Sequence, residues 1–98
     1  MHARVSTYTG TSEKVAQLVE QLDQARPALN QLDGFQGAYV LVDRGSGNAM
    51  TITLWSSEQT AQASAESAKR LRSTAAEASG YTIQSVATYE VGLQLGKE

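Results

Sequence analysis

No cysteine occurs in this chain of 98 residues, so disulfides and thiolate metal sites are excluded, and cysteine usage says nothing of the redox compartment. Histidine is nearly as scarce. The single imidazole, His2, stands at the chain start. That leaves no Ser-His-Asp or Cys-His constellation and no histidine pair suited to Zn²⁺ or non-haem iron. Nor is positive charge in excess: 8 Lys+Arg against 10 Asp+Glu give a net charge of −2, the wrong sign for binding a phosphate backbone, and no nucleic-acid partner is expected. The longest apolar run, Ala38 to Val42, is far too short to cross a bilayer, so no membrane partner is expected. Met1-His2-Ala3-Arg4-Val5 leads into polar residues, which does not read as a signal peptide, and a cytoplasmic location is expected. Asp23, Asp33 and Asp43 are dispersed over a helix face, a helix end and a turn, the pattern of solvated charge. Gly45-Ser46-Gly47 has no helix after it and reads as a hairpin turn, not a phosphate loop. No metal and no cofactor is expected.

At 10.5 kDa the chain makes a single domain, 1–98, ending in a short tail over 92–98. A protein of this mass exposes about 5,400 Å² when folded and buries about 64% of its unfolded surface, so its core is thin.

Ala3 to Tyr8 alternates as a strand. Gly10-Thr11-Ser12 breaks it, and Val15, Leu18, Val19, Leu22, Leu29 and Leu32 follow helical spacing. Pro27 removes a backbone donor and crowds the Asp23 carbonyl, which predicts a kink between Asp23 and Pro27, with Gly34 ending the segment. Phe35 to Asp43 and Ala49 to Trp55 read as strands of a hairpin turning at Arg44–Asn48. Ser56 and Gln59 have capping-box spacing. The helix they open should run to Ser79, stop at Gly80, and carry a Glu66–Arg70 pair. Tyr81 to Val91 is the last strand. The order βαββαβ gives an α+β, ferredoxin-like sandwich: an antiparallel sheet in the order 4-1-3-2 with both helices on one face.

Two helices cover one face of such a sheet, and here both faces are apolar. Phe35, Tyr39 and Leu41 oppose Ala38, Val40 and Val42, while Met50, Ile52 and Leu54 oppose Ala49, Thr51, Thr53 and Trp55. Ile83, Ala87, Tyr89 and Val91 share a face, with Val86 on the other. So much apolar strand surface exceeds what monomers expose, and a homodimer with its sheets face to face is expected.

The second helix carries a stripe of mostly small residues: Ala61, Ser64, Ala65, Ala68, Leu71, Arg72 and Ala75. Either the helix approaches the sheet closely, or a hollow is left for a ligand. Arg72 either meets an anionic ligand there or lays its stem on the core with its guanidinium in water. Arg4, in a central strand, needs a partner: a cross-strand pair with Glu90 or a ligand. Tyr39, Trp55, Tyr81 and Tyr89 fill core or interface, or line a pocket for a planar aromatic molecule. The ligand-pocket candidates are therefore Arg4, Tyr39, Trp55, Ser64, Arg72 and Tyr89.

Three stretches carry a family resemblance: Pro27-Ala28-Leu29-Asn30-Gln31-Leu32-Asp33-Gly34-Phe35-Gln36-Gly37, Ile52-Thr53-Leu54-Trp55-Ser56-Ser57-Glu58, and Ala87-Thr88-Tyr89-Glu90-Val91. Together they resemble the antibiotic-biosynthesis-monooxygenase-like dimeric α+β barrels, over nearly the whole span from Ala3 to Val91. The resemblance implies a dimer. Its members include quinone-forming monooxygenases acting on polycyclic aromatic polyketides without metal or flavin, haem-degrading monooxygenases, and members without known activity. The haem-degrading branch has an asparagine in the first strand and, counted from Trp55, a tryptophan and a histidine where this chain has Ser64 and Thr74. With all three missing, haem degradation is not expected. The polyketide-oxidising branch uses tyrosine, tryptophan, asparagine and arginine around its pocket; this chain offers Tyr, Trp and Arg72, with no match for the asparagine. The reading that follows is a cofactor-free monooxygenase for an aromatic or polyketide-like molecule. In it the substrate's carbanion reduces O₂, Arg72 or Arg4 favours deprotonation, and Trp55 and a tyrosine hold the ring. The alternative is a non-catalytic homodimeric binding or assembly module of the same fold.

Overall fold

The computed structural model describes residues 1–96. Four strands, β1 (His2–Thr9), β2 (Phe35–Val42), β3 (Ala49–Trp55) and β4 (Thr82–Glu90), form one sheet in the order β2-β3-β1-β4, with every neighbouring pair antiparallel. This is the expected ferredoxin-like arrangement, and each strand lies within one residue of its expected bounds. The tail is irregular from Val91 through Gly96; the last two residues of the expected 92–98 segment lie outside the described residues.

Both long helices are broken, for different local reasons. The first is a 3₁₀ turn (Ser12–Lys14), α1 (Val15–Asp23) and α2 (Arg26–Asn30). Pro27 sits in the first turn of α2, where its missing N–H costs nothing. The expected kink is therefore a full break, with the chain tightening as Ala25 N–H donates to Leu22 C=O at 3.1 Å. The second is α3 (Glu58–Ala63) and α4 (Ala65–Ser79), where one continuous helix was expected. Ser64 interrupts it, its hydroxyl donating back to the Ala61 carbonyl at 2.7 Å, in competition with the helical ladder. The capping box also lies one residue further on than expected. Ser57 Oγ accepts from Thr60 N–H at 3.1 Å and Thr60 Oγ1 accepts from Ser57 N–H at 3.2 Å. Ser56 instead lies in the connection before the helix, its N–H donating to the Gly34 carbonyl at 2.8 Å. Gly80 ends α4 in the left-handed conformation, φ 74°, as its sequence position requires. The expected Glu66–Arg70 pair does not form; among the described residues the ion pair is Arg26–Asp23.

Register assigns the faces. Arg4, Ser6 and Tyr8 share the helix-covered face with Trp55, Thr53, Thr51 and Ala49, while Val5 lies with Ile52 and Ala87 on the uncovered face. Two bulges move residues from the face that simple alternation gave them. A register shift between Phe35 and Gly37 puts Phe35 opposite Trp55, on the helix side, while Tyr39 and Leu41 stay opposite Ile52 and Met50. A second, at Thr7/Tyr8, brings Ile83 opposite Tyr8, where it packs on the core cluster of Tyr8, Leu18, Ala49, Ala76 and Tyr81. Tyr81 belongs to that core, its hydroxyl donating to the Gly47 carbonyl at 2.7 Å.

The uncovered face is apolar and accessible: Tyr39 is 62% exposed, Tyr89 58% and Leu41 46%. Total accessible surface is 6298 Å², about 900 Å² more than the mass predicts. The uncovered face, the tail and the cavity described next all contribute to it.

Candidate functional site

A cavity of about 830 Å³ opens between the helix-side face of the sheet and the helices. Thr51 and Thr53 of β3 and Ala38 and Val40 of β2 form its floor, with Leu22 and Leu29 on one wall and Ala68 and Leu71 on the other. Its origin is local. The break before Pro27 and the small side chain of Ala68 leave the space unfilled, and neither helix wall covers edge strand β2, so Ala38 and Val40 stay exposed although they face the helix side. Both outcomes open to the small-residue stripe occur: Ala61, Ser64 and Ala75 pack closely and lie off the cavity, while Ala68 lines it. Ala61, Ser64, Ala68 and Ala75 are buried, whereas Ala65 is exposed, because the interruption at Ser64 turns it off the stripe.

Three guanidiniums border this volume, and of these Arg26 is paired with Asp23 while Arg4 and Arg72 have no carboxylate partner. Arg4 is 6% exposed and is fixed from behind. Its Nη2 donates to the Ala61 carbonyl at 2.6 Å and its Nη1 to Ser64 Oγ at 3.2 Å. The break between α3 and α4 supplies these acceptors, since the last carbonyls of a helix lack intrahelical donors and attract a cation. The guanidinium also lies over the Trp55 ring, 5.4 Å from its centroid. The expected Arg4–Glu90 pair is absent: the register sets Arg4 opposite Thr88 and Glu90 opposite His2. Arg72, from α4, borders the same cavity, and its Nε is buried without an acceptor. Burial, and then the neighbouring Arg72 charge, pull the Arg4 pKa below its ordinary value.

Tyr8 adds a phenol to the polar lining. It is 2% exposed, and its hydroxyl pairs with Thr51 Oγ1 at 3.1 Å. Burial raises its pKa, against the opposing pull of the Thr51 hydrogen bond and the Arg72 charge.

The six candidate residues fall into three groups. Arg4 and Arg72 line the cavity, and Tyr39 borders it from the edge strand while standing largely exposed. Trp55 and Ser64 lie a layer behind. Trp55 is fully buried, donating Nε1–H to Thr53 Oγ1 at 2.9 Å and meeting Phe35 edge-on with ring centroids 5.5 Å apart. Ser64 holds Arg4. Tyr89 stands on the opposite face of the sheet, across from Ala3. Sequence reasoning did not place Tyr8, Asn30 or Phe35 at the cavity. For Tyr8 the available signal was its position four residues beyond Arg4 on the same strand, hence on the same face.

A family model described as antibiotic biosynthesis monooxygenase matches residues 1–79. The chain belongs to the antibiotic biosynthesis monooxygenase family. Members of known structure share its fold at low identity. SnoaB, a cofactor-independent oxygenase from Streptomyces nogalater, superposes with a TM-score of 0.72 at 17% identity, covering 98% of this chain and 97% of its own. A monooxygenase from the gene ActVA-Orf6 of Streptomyces coelicolor, solved with the ligand nanaomycin D, gives 0.72 at 19%, covering 98% and 92%. The haem degrader MhuD of Mycobacterium tuberculosis, solved with two haems in its active site, gives 0.69 at 19%, covering 98% and 100%. No curated protein matches the chain.

The residues present do not fit the haem of that last family member. His2, the one histidine, is not at the cavity, and the Ser64 hydroxyl is committed to Arg4 and Ala61. Among the described residues no group of His, Cys, Asp and Glu is placed to hold a metal ion, and no helix is long and apolar enough to cross a membrane.

Proposed function

We propose that the chain is a cofactor-independent monooxygenase that holds an aromatic or polyketide-like molecule in the cavity between β1, β3, α1 and α4. One observation carries this reading: two guanidiniums without carboxylate partners border an otherwise largely apolar space of the size that takes a small ligand. Family membership and the cofactor-independent oxygenase SnoaB among the structural neighbours support it.

The chemistry suited to such a site begins with a carbon acid. A ring CH₂ flanked by arene and carbonyl groups loses a proton to solvent water, which reaches the open cavity. The carbanion, delocalised as an enolate, lies in the field of Arg4 and Arg72. Because hydrogen bonds to Ala61 and Ser64 already fix Arg4, its charge needs little reorganisation as the anion develops. The anion then gives its electrons to O₂, a C–O bond forms, and the hydroperoxide loses water. The balance is R₂CH₂ + O₂ → R₂C=O + H₂O, with the substrate itself as reductant. Phe35 lies at the cavity with Trp55 behind it, so Phe35 takes the ring contact expected of Trp55.

The working unit in this reading is a homodimer joined through the uncovered sheet faces, which would cover the exposed apolar side chains of Tyr39, Leu41 and Tyr89. Oxygen consumption over a panel of anthrones, in buffer treated with chelator, tests the activity. Uptake matched one-to-one by ketone formation is the expected result. Ligand binding without uptake would instead identify a non-catalytic binding module.

A further inference from the structure

We infer that α2 is a lid, which closes toward β2 over a ligand held in the cavity and opens to let it in and out. The inference rests on the reading of the cavity as a ligand site and adds how that site opens and shuts.

The segment stands apart from the body of the fold. None of the five residues of α2 is buried. α1 packs on α4 and β2 on β3, whereas α2 makes no comparable contact with any helix or strand. Its backbone link to α1 is interrupted as well. Pro27 has no N–H to return to the Asp23 carbonyl, so the helical ladder does not run through the break. Both flanks, by contrast, are anchored. Leu18 of α1 is fully buried. At the other end the Gly34 carbonyl accepts from Ser56 N–H at 2.8 Å, in a left-handed turn (φ 78°) with no room for a Cβ beside Thr60. The stretch 24–33 is thus a weakly packed unit slung between two fixed points. Among the described residues its ion pair is Arg26–Asp23, with both side chains exposed, a setting in which such pairs hold weakly. Local opening is a property of segments with few buried contacts.

The same segment borders the cavity. Arg26, Leu29 and Asn30 line it from α2, and Phe35, Ala38 and Val40 from β2. Leu29 is half-buried, and Val40 is exposed although it faces the helix side. Apolar side chains therefore stand on both lips of the opening. Closing it while empty would set Leu29 against a void and gain few contacts. A flat ring between the lips gives Leu29 and Val40 a common surface. The ligand then binds the closed form better than the open one, and that difference shifts the population toward closure.

Hydrogen exchange of the full chain, read by mass spectrometry on peptides covering 24–33 and 65–79, tests this with anthrone under nitrogen as the ligand probe. In the free chain the α2 peptide is expected to exchange about a hundredfold faster than the α4 peptide, because it opens without global unfolding. Saturation with anthrone should slow the α2 peptide about tenfold, whereas a ligand that bound the open form equally well would leave its exchange unchanged. Leu29→Ala should remove most of that slowing, while α4 exchange in the free variant holds within a factor of about three, which is also the check on folding. Arg26→Ala is the second variant, and loss of its ion pair should speed the free α2 peptide about two- to threefold with α4 unchanged. An α2 peptide as slow as α4 in the free chain, slowing that survives Leu29→Ala in full, or anthrone bound by its absorbance with no slowing of α2 would overturn the lid and leave the cavity reading intact. Anthrone that does not bind would overturn both.

Discussion

Arg4 Nη2 donates to the backbone carbonyl of Ala61 at 2.6 Å, tying the start of the first strand to the end of a helix 57 positions later. The same arginine bonds Ser64, the residue that interrupts the helix. A strand cation, a helix break and a cavity edge are thus one arrangement, and removing the cation should be felt in the fold as much as in the site.

Arg4→Met leaves Ser64 Oγ without the donor it accepts from and the Ala61 carbonyl with the Ser64 hydroxyl as its remaining side-chain donor. The expected loss is about 2 kcal/mol, which lowers Tm by roughly 10 °C in a domain of this size. Ser64→Ala should cost about 1 kcal/mol, and the double variant less than the sum, because both residues act on one carbonyl. Calorimetric melts of the four proteins measure this; strict additivity would show that the two side chains act independently.

Ala68 is small, nearly buried and on the cavity wall. Ala68→Leu projects three more carbons into the open space. Stability is expected to hold or rise by up to about 1 kcal/mol, as cavity-filling changes commonly do, while affinity for an anthrone falls at least tenfold. A variant that binds as tightly as the parent would place the ligand elsewhere.

How much of this was legible in the sequence depended on the kind of signal. Strand order, strand bounds and the stop at Gly80 follow from periodicity and turn chemistry, and these agree with the structure. The position of the cap was not legible, since the Ser56–Gln59 spacing fits a capping box and only the structure shows Ser57 and Thr60 making it. Bulges also escape a period-two reading, because one extra residue reverses facing beyond it; Phe35 and Ile83 changed faces in this way. The partner of Arg4 was hidden for a further reason. Its acceptor exists only because the helix breaks at Ser64, and the Ala-rich sequence around that serine reads as continuous helix. The cavity itself was visible only as an excess of alanine, equally compatible with close packing.

Tyr8 gives the fold a pH dependence of definite sign. Its folded pKa is raised by burial, so the folded chain keeps the phenolic proton after the unfolded chain has released it. The contribution to stability is complete below the unfolded value of about 10 and is lost as pH rises through the folded value. Absorbance titration should show a tyrosinate component above the ordinary tyrosine range that Tyr8→Phe removes, and the same variant should flatten the fall in Tm between about pH 9.5 and 11.

The uncovered sheet face makes a prediction of its own. Leu41 is 46% exposed there, opposite Met50 on edge strand β2, so a charge at this position should leave the protomer folded. Sedimentation equilibrium at micromolar concentration is expected to give twice the 10.5 kDa chain mass for the native protein, and the single-chain mass for Leu41→Lys with an unchanged circular dichroism spectrum. A native protein that sediments as one chain would remove the dimer.

The central claim is that a pair of arginines without carboxylate partners favours the deprotonated form of an aromatic carbon acid. An anaerobic spectrophotometric titration of an anthrone, free and bound to the chain, measures that directly, with oxidation unable to interfere. The account predicts that the ring CH₂ of the bound ligand ionises at a pH lower by at least one unit, about 1.4 kcal/mol of preference for the anion. A bound anthrone that ionises at the same pH as the free one, or higher, would contradict it.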